Sequence, residues 1–165
     1  MPGKLTNGHS KGASSELSLA ISAVRNGLAD LHRRLVDSAQ RSYEKSHGRV
    51  SGPGELLRLL TQDEHFAWLR QLSELLADLD ALAAEEATME LAAEVRSAAE
   101  GLVMPPTGEP HAFWGHYSPL LQENPEVAVA HGQVRKLLAL LPPPSANGAK
   151  ALRERHEQAL AKKRR

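Results

Sequence analysis

Residues 61–84 read TQDEHFAWLRQLSELLADLDALAA, and their spacing decides the fold class. On a helical wheel Trp68, Leu69, Leu72, Leu75, Leu76, Leu79, Leu82 and Ala83 fall within about 140° of arc, the width of a core-facing helix stripe. Arg70, Glu74, Asp78 and Ala81 lie on the other side. Thr61 followed by Glu64 is a capping-box pattern, and Asp63 adds negative charge where the helix dipole favours it. The expectation is a single amphipathic helix that starts at Thr61.

The same period extends in both directions. Leu17, Ile21, Val24, Leu28, Leu31 and Leu35 repeat with alternating spacings of four and three, a narrow coiled-coil-type seam that predicts a long first helix. The breakers Gly48, Gly52, Pro53 and Gly54 end it. Leu56, Leu57, Leu59 and Leu60 add a short helical turn before Thr61. Downstream, Leu91, Val95, Ala98, Ala99 and Leu102 predict a helix from about Thr88, with alanines that permit close approach. Phe113, Tyr117, Leu120 and Leu121 suggest another, with a kink or a new start at Pro119. Asn124-Pro125-Glu126 is a clean start signal for a helix whose inner face holds Val127, His131, Val134, Leu138 and Leu141.

No strand pattern and no repeat of 20–50 residues is visible. The fold class is therefore all-α, an antiparallel bundle of four to five helices over residues 15–142. Residues 1–14 are read as a disordered leader, because they carry few apolar anchors. Residues 143–165 are read as a Pro-rich joint and a basic tail, and removal of residues 145–165 should leave the melting temperature nearly unchanged. The stretches LLRLLTQDEHFAWLRQLSELLADLDAL and LLQENPEVAVAHGQVRKLL resemble small all-helical bacterial proteins over roughly residues 17–141. That resemblance implies the helical fold and carries over no functional residue.

Composition excludes several chemistries. The chain has 165 residues and no cysteine, which removes disulfides, Cys-ligated zinc, iron–sulfur clusters and thiol catalysis, and fits a reducing cytoplasm. No apolar run suits a secretory signal or a membrane span, so a cytoplasmic protein without a membrane partner is expected. GxGxxG, GxxxxGK[ST], GxSxG and HExxH are all absent. Glu44 and His47 form a lone ExxH, where a di-iron bundle needs two with further glutamates. Asp78, Asp80, Glu85 and Glu86 fall on or near a helix surface read as solvated, without apolar surroundings to raise a carboxyl pKa. No catalytic residue, metal ligand, cofactor or enzyme activity is assigned.

Net charge is zero but unevenly spread: −11 over residues 55–126 and +5 over residues 150–165. The plain reading is an acidic pair of middle helices packed beside a basic first helix. Three functional readings remain. The heptad seam favours a non-enzymatic protein–protein interaction or self-association module, with a homo-oligomer as one form. The tail residues Arg153, Arg155, Lys162, Lys163, Arg164 and Arg165 suit weak, sequence-independent binding of nucleic acid or another polyanion. Finally, His65, Trp68, His116 and Tyr117 lie in two short stretches rich in His and aromatics, and with His131, which projects toward the apolar face of its own helix, they would line a metal or small-ligand pocket.

Overall fold

A computed structural model describes the backbone of residues 7–165 and the side chains of residues 11–165. Every element among these residues is helical. Helix α1 spans Asn7–His47, 41 residues and about 60 Å at 1.5 Å per residue. It starts inside the stretch expected to be a disordered leader; residues 1–6 lie outside the described residues. The seam does its work within the chain: Val24, Leu28, Leu31 and Leu35 are fully buried, and Leu17 and Ile21 pack on the edge of the core. Gly48 stops the helix at φ 84°, and its N–H bonds the Glu44 carbonyl at 3.1 Å.

The stretch that begins at Thr61 does not form one helix. Helix α2 runs Pro53–Gln62, a 3-10 helix runs Glu64–Leu69, and α3 runs Arg70–Leu82. The break falls at Asp63, whose extended backbone ends α2 and whose carboxylate accepts the His65 N–H at 2.8 Å. Thr61 does not cap, because its hydroxyl donates back to the Leu57 and Arg58 carbonyls, both at 3.0 Å. The apolar stripe survives the break. Phe66, Trp68, Leu69, Leu72, Leu75, Leu79 and Leu82 are buried, Leu76 is half-buried and Ala83 is exposed.

Helix α4 (Met89–Val103) starts where expected, with the Thr88 hydroxyl accepting the Leu91 N–H at 3.1 Å. Helix α5 (Ala112–Glu123) continues through Pro119. The residue four back is Gly115, which is exposed, and burial of Phe113 and Tyr117 offsets the missing hydrogen bond. Helix α6 (Pro125–Leu138) is capped by Asn124, whose side chain accepts the Glu126 and Val127 N–H groups. Helix α1 packs against α6, α3 and the 3-10 segment, and α4 lies against α3.

The largest departure is the C-terminal stretch. Residues 148–163 form α7 (Gly148–Lys163), packed along α4 and α3. The all-α class holds, with seven α-helices among the described residues in place of four to five. Two of the additional elements are α2, separated by the Asp63 break, and α7, taken for a tail. No described helix is long and apolar enough to cross a membrane.

Candidate functional site

The seat of α7 is built on a heptad. Gly148, Leu152 and Ala159 are buried, with Arg155 completing the four-three-four spacing toward α4. Such a helix is short of apolar surface, so polar contacts must carry much of its docking. Glu94 on α4 receives Arg155 in bidentate fashion, Nε to Oε2 at 2.6 Å and Nη2 to Oε1 at 3.1 Å. The Glu94 side chain is only 13% exposed, so solvent screens this pair less than a surface one. Its hydrogen bonds hold the Arg155 guanidinium above its ordinary pKa.

On α3 the anchor is Asp78, 5% exposed and the one buried charged residue among those described. His156 donates from Nδ1 to its Oδ1 at 2.6 Å, and Arg153 donates from Nε to Oδ2 at 3.3 Å and from Nη2 to Glu74 at 3.4 Å. The charge of Asp78, foremost, raises the pKa of Arg153. Both donors facing the buried carboxylate, His156 and Arg153, come from α7. The backbones also approach closely: a Cβ added to Gly148 would stand 2.5 Å from Ser97 Cβ and 2.8 Å from the Glu94 carbonyl oxygen.

Two open clefts flank the helix. One of about 340 Å³ lies beside its first turns and is lined by Glu74, Leu75, Asp78, Ala98, Leu102 and Leu152. The other, of about 220 Å³, lies near its end between Leu82, Glu86, Leu91, Ala159 and Lys162. The groove between α3 and α4 is thus an acidic-rimmed, apolar-floored trough that α7 occupies without filling.

The pocket expected from His65, Trp68, His116, Tyr117 and His131 divides into two groups bridged by the buried ring of Phe113, 5.8 Å from Trp68 and 5.0 Å from Tyr117. Trp68 stacks on exposed His116, ring centres 5.2 Å apart and 16° from parallel, and His65 donates from Nε2 to the Ala39 carbonyl at 3.1 Å. These three line a shallow cleft of about 200 Å³ with Ser38, Ser42 and Glu64. Tyr117 is fully buried elsewhere, its hydroxyl 2.8 Å from His131 Nδ1 between α5 and α6. Burial pushes the Tyr117 phenol well above its ordinary pKa, and burial together with Arg135 holds the His131 imidazole below its own. The phenol therefore donates to a neutral imidazole protonated at Nε2. This is a structural hydrogen bond joining two helices. Among the described residues no three His, Asp or Glu side chains converge as a metal site. Glu44 accepts from Gln40 and the Val50 N–H, while His47 stacks on Tyr43, so the ExxH pair closes a helix end.

The proposed polyanion residues are also divided. Arg153 and Arg155 are spent on α3 and α4, whereas Lys162, Lys163, Arg164 and Arg165 are exposed. Glu94 and Gly148, which build the groove and its occupant, were not singled out from the sequence, and Asp78, read there as solvated, is instead buried beneath α7. The available signal was the opposed charge of residues 55–126 and 150–165, together with the Gly148, Leu152, Ala159 spacing. Comparison with family models, curated proteins and solved structures finds no match to this chain.

Proposed function

We propose that this chain is a non-enzymatic protein–protein interaction module of the cytoplasm, and that its α3/α4 groove receives a basic amphipathic helix. The observation that carries the reading is α7 itself. It lies in an acidic, apolar-floored trough through Leu152, Ala159 and two carboxylate-centred sets of ion pairs. That is helix-in-groove recognition of the kind used between proteins, here with the ligand helix supplied by the same chain. The internal burial of the α1 seam moves the interaction surface away from α1, where the heptad pattern had suggested it.

The test is a labelled peptide of residues 148–163, titrated by fluorescence anisotropy into the full chain and into its Arg155→Glu variant. Loosening the resident helix should free the groove, so the variant should bind the peptide at least about tenfold more tightly than the parent, a difference near 1.4 kcal/mol. Binding should weaken with salt, and a Leu152→Asp peptide should not bind. Equal failure of both chains, or equal binding of the Leu152→Asp peptide, would contradict the groove.

A weaker second reading rests on the exposed Lys162, Lys163, Arg164 and Arg165. Four such charges support only salt-sensitive, sequence-tolerant contact with a polyanion such as nucleic acid.

A further inference from the structure

We propose that α7 exchanges between two copies of this chain, each copy's α7 seating in the α3/α4 groove of the other. The proposal rests on the reading of that groove as a helix receptor and names its occupant.

The connection to α7 is built in a way that favours opening. Residues 139–147 include Pro142, Pro143 and Pro144 in succession. Proline fixes its own φ and pushes the preceding residue into extended conformation, so the chain leaves the helix at Pro142, just after Leu140 and Leu141 make their last turn bonds to the Leu137 and Leu138 carbonyls at 3.1 Å. Drawn out at about 3.1 Å per residue, these nine residues would reach nearly 30 Å, enough to carry a helix to a neighbouring molecule.

The hinge itself is unfavourable in the closed chain. Asn147 sits at φ 59°, ψ 26°, the one non-glycine residue with positive φ among those described. Asn is among the best N-cap residues when its backbone is extended, yet here α7 has no side-chain cap hydrogen bond. Beside it, the Ser145 hydroxyl is buried with no hydrogen-bond partner. Closing α7 onto its own groove therefore forfeits a cap and a serine hydroxyl hydrogen bond, set against the Ser145 N–H bond to the Ala93 carbonyl at 3.3 Å and the Arg96 bond to the Leu141 carbonyl at 2.9 Å that hold the connector. A straightened connector recovers the cap and the hydroxyl bond.

What holds α7 does not depend on which chain supplies it. Leu152, Ala159 and the pairs of Arg155 with Glu94 and of His156 and Arg153 with Asp78 form identically in cis or in trans. Exchange keeps every one of these contacts and relaxes the hinge, the balance under which a domain swap competes with the monomer. It also gives Leu140 a partner. This residue lies at the start of the connector and is 70% exposed. Two connectors crossing on a two-fold axis would bring two such leucines together.

The experiment uses two full-length charge-reversal variants, Glu94→Arg and Arg155→Glu, purified separately and then mixed. Alone, each sets like charges against each other at the α4–α7 contact, whether α7 closes in cis or swaps with an identical copy. Mixed, both contacts become complementary, but only by reciprocal exchange. Light scattering after size exclusion should show a 1:1 species of twice the chain mass, absent from either variant alone. A Glu94→Arg, Arg155→Glu double variant should return to parental behaviour.

A mixture that stays the sum of two monomers overturns the exchange. If the free α7 peptide still binds the Arg155→Glu chain, the groove reading survives that result; if the peptide also fails, both fall. Should a single variant unfold by circular dichroism, the decision passes to Asn147→Gly, which tolerates the left-handed backbone and cannot cap. Sedimentation across a concentration series should then show a dimer dissociation constant at least about twofold higher than that of the parent chain, the effect of the two asparagine caps lost per dimer, since glycine is only a slightly poorer cap. An unchanged constant would overturn the proposal.

Discussion

Gly148 and Ser97 are so close that a Cβ on the glycine would stand 2.5 Å from the serine Cβ, well inside van der Waals contact. The glycine is the first residue of α7, and the Glu94 carbonyl 2.8 Å from the same point belongs to α4 backbone and cannot rotate away. Gly148→Ala should therefore push α7 outward and cost about 1–3 kcal/mol, as overpacking usually does. Chemical denaturation measures it. A neutral or stabilising substitution, as expected for Gly→Ala at an open helical site, would mean that α7 does not lie as close to α4 as described.

Asp78 is expected to matter through α7 rather than through the core. Asp78→Asn keeps the size but removes the charge that His156 and Arg153 share. A loss of about 1–2 kcal/mol is expected, at the low end for a charged hydrogen-bonded group because Arg153 is 47% exposed and can turn to Glu74 or water. Combined with Gly148→Ala the losses should fall short of additive, since both act on one helix. Full additivity would place Asp78 outside the α7 contact.

Tyr117→Phe removes the donor that His131 Nδ1 accepts at 2.8 Å and leaves the ring packing intact. The expected loss is about 0.5–1.5 kcal/mol by denaturation. No loss would show that the buried phenol contributes packing alone.

Acid should destabilise the fold through its histidines. Burial holds both His32 and His131 below the ordinary histidine pKa, with Arg135 adding to the effect at His131. The unfolded chain, at about 6.5, thus takes up protons first as pH falls. Their stabilising contribution is complete above the unfolded value and is lost as pH drops through the lower folded values. The melting temperature should decline between about pH 7 and pH 5, and a His32→Gln, His131→Gln double variant should show a shallower decline. A flat profile, or one that rises with acid, would contradict the assigned neutral state.

Much of the fold was legible because its signals are local. Thr88 and Asn124 mark helix starts through hydrogen bonds to residues two or three positions away, and the structure has both. Thr61 misled because a threonine hydroxyl bonds a preceding carbonyl as readily as a following N–H, which left Asp63 to make the break. Asp78 was read as solvated because the wheel of α3 has one apolar stripe, and α7 covers the other side. The tail could be read as helical from about Ala149, but the packing of α7 was hidden for a related reason. Its buried residues, Gly148 and Ala159 included, are mostly too small to mark an apolar face, and its charged partners lie 61 to 79 positions earlier. Cutting away residues 145–165 would now be expected to uncover Asp78 and the apolar floor of the groove and to lower the melting temperature. The histidine and aromatic cluster was visible as composition, but nothing in the spacing showed that Tyr117 and His131 face each other away from Trp68 and His116.

Native-state hydrogen exchange of the full chain measures directly whether α7 is an exchangeable occupant of the α3/α4 groove. Backbone amides of α7 past its first turn should open together, at a free energy below that of the amides of Leu72 and Val95. Their opening should become easier as salt weakens the pairs of Arg155 with Glu94 and of Arg153 with Asp78. If α7 amides instead exchange only with global unfolding, at the same free energy and denaturant slope as Leu72 and Val95, α7 is a fixed part of the core and the groove is not a binding site.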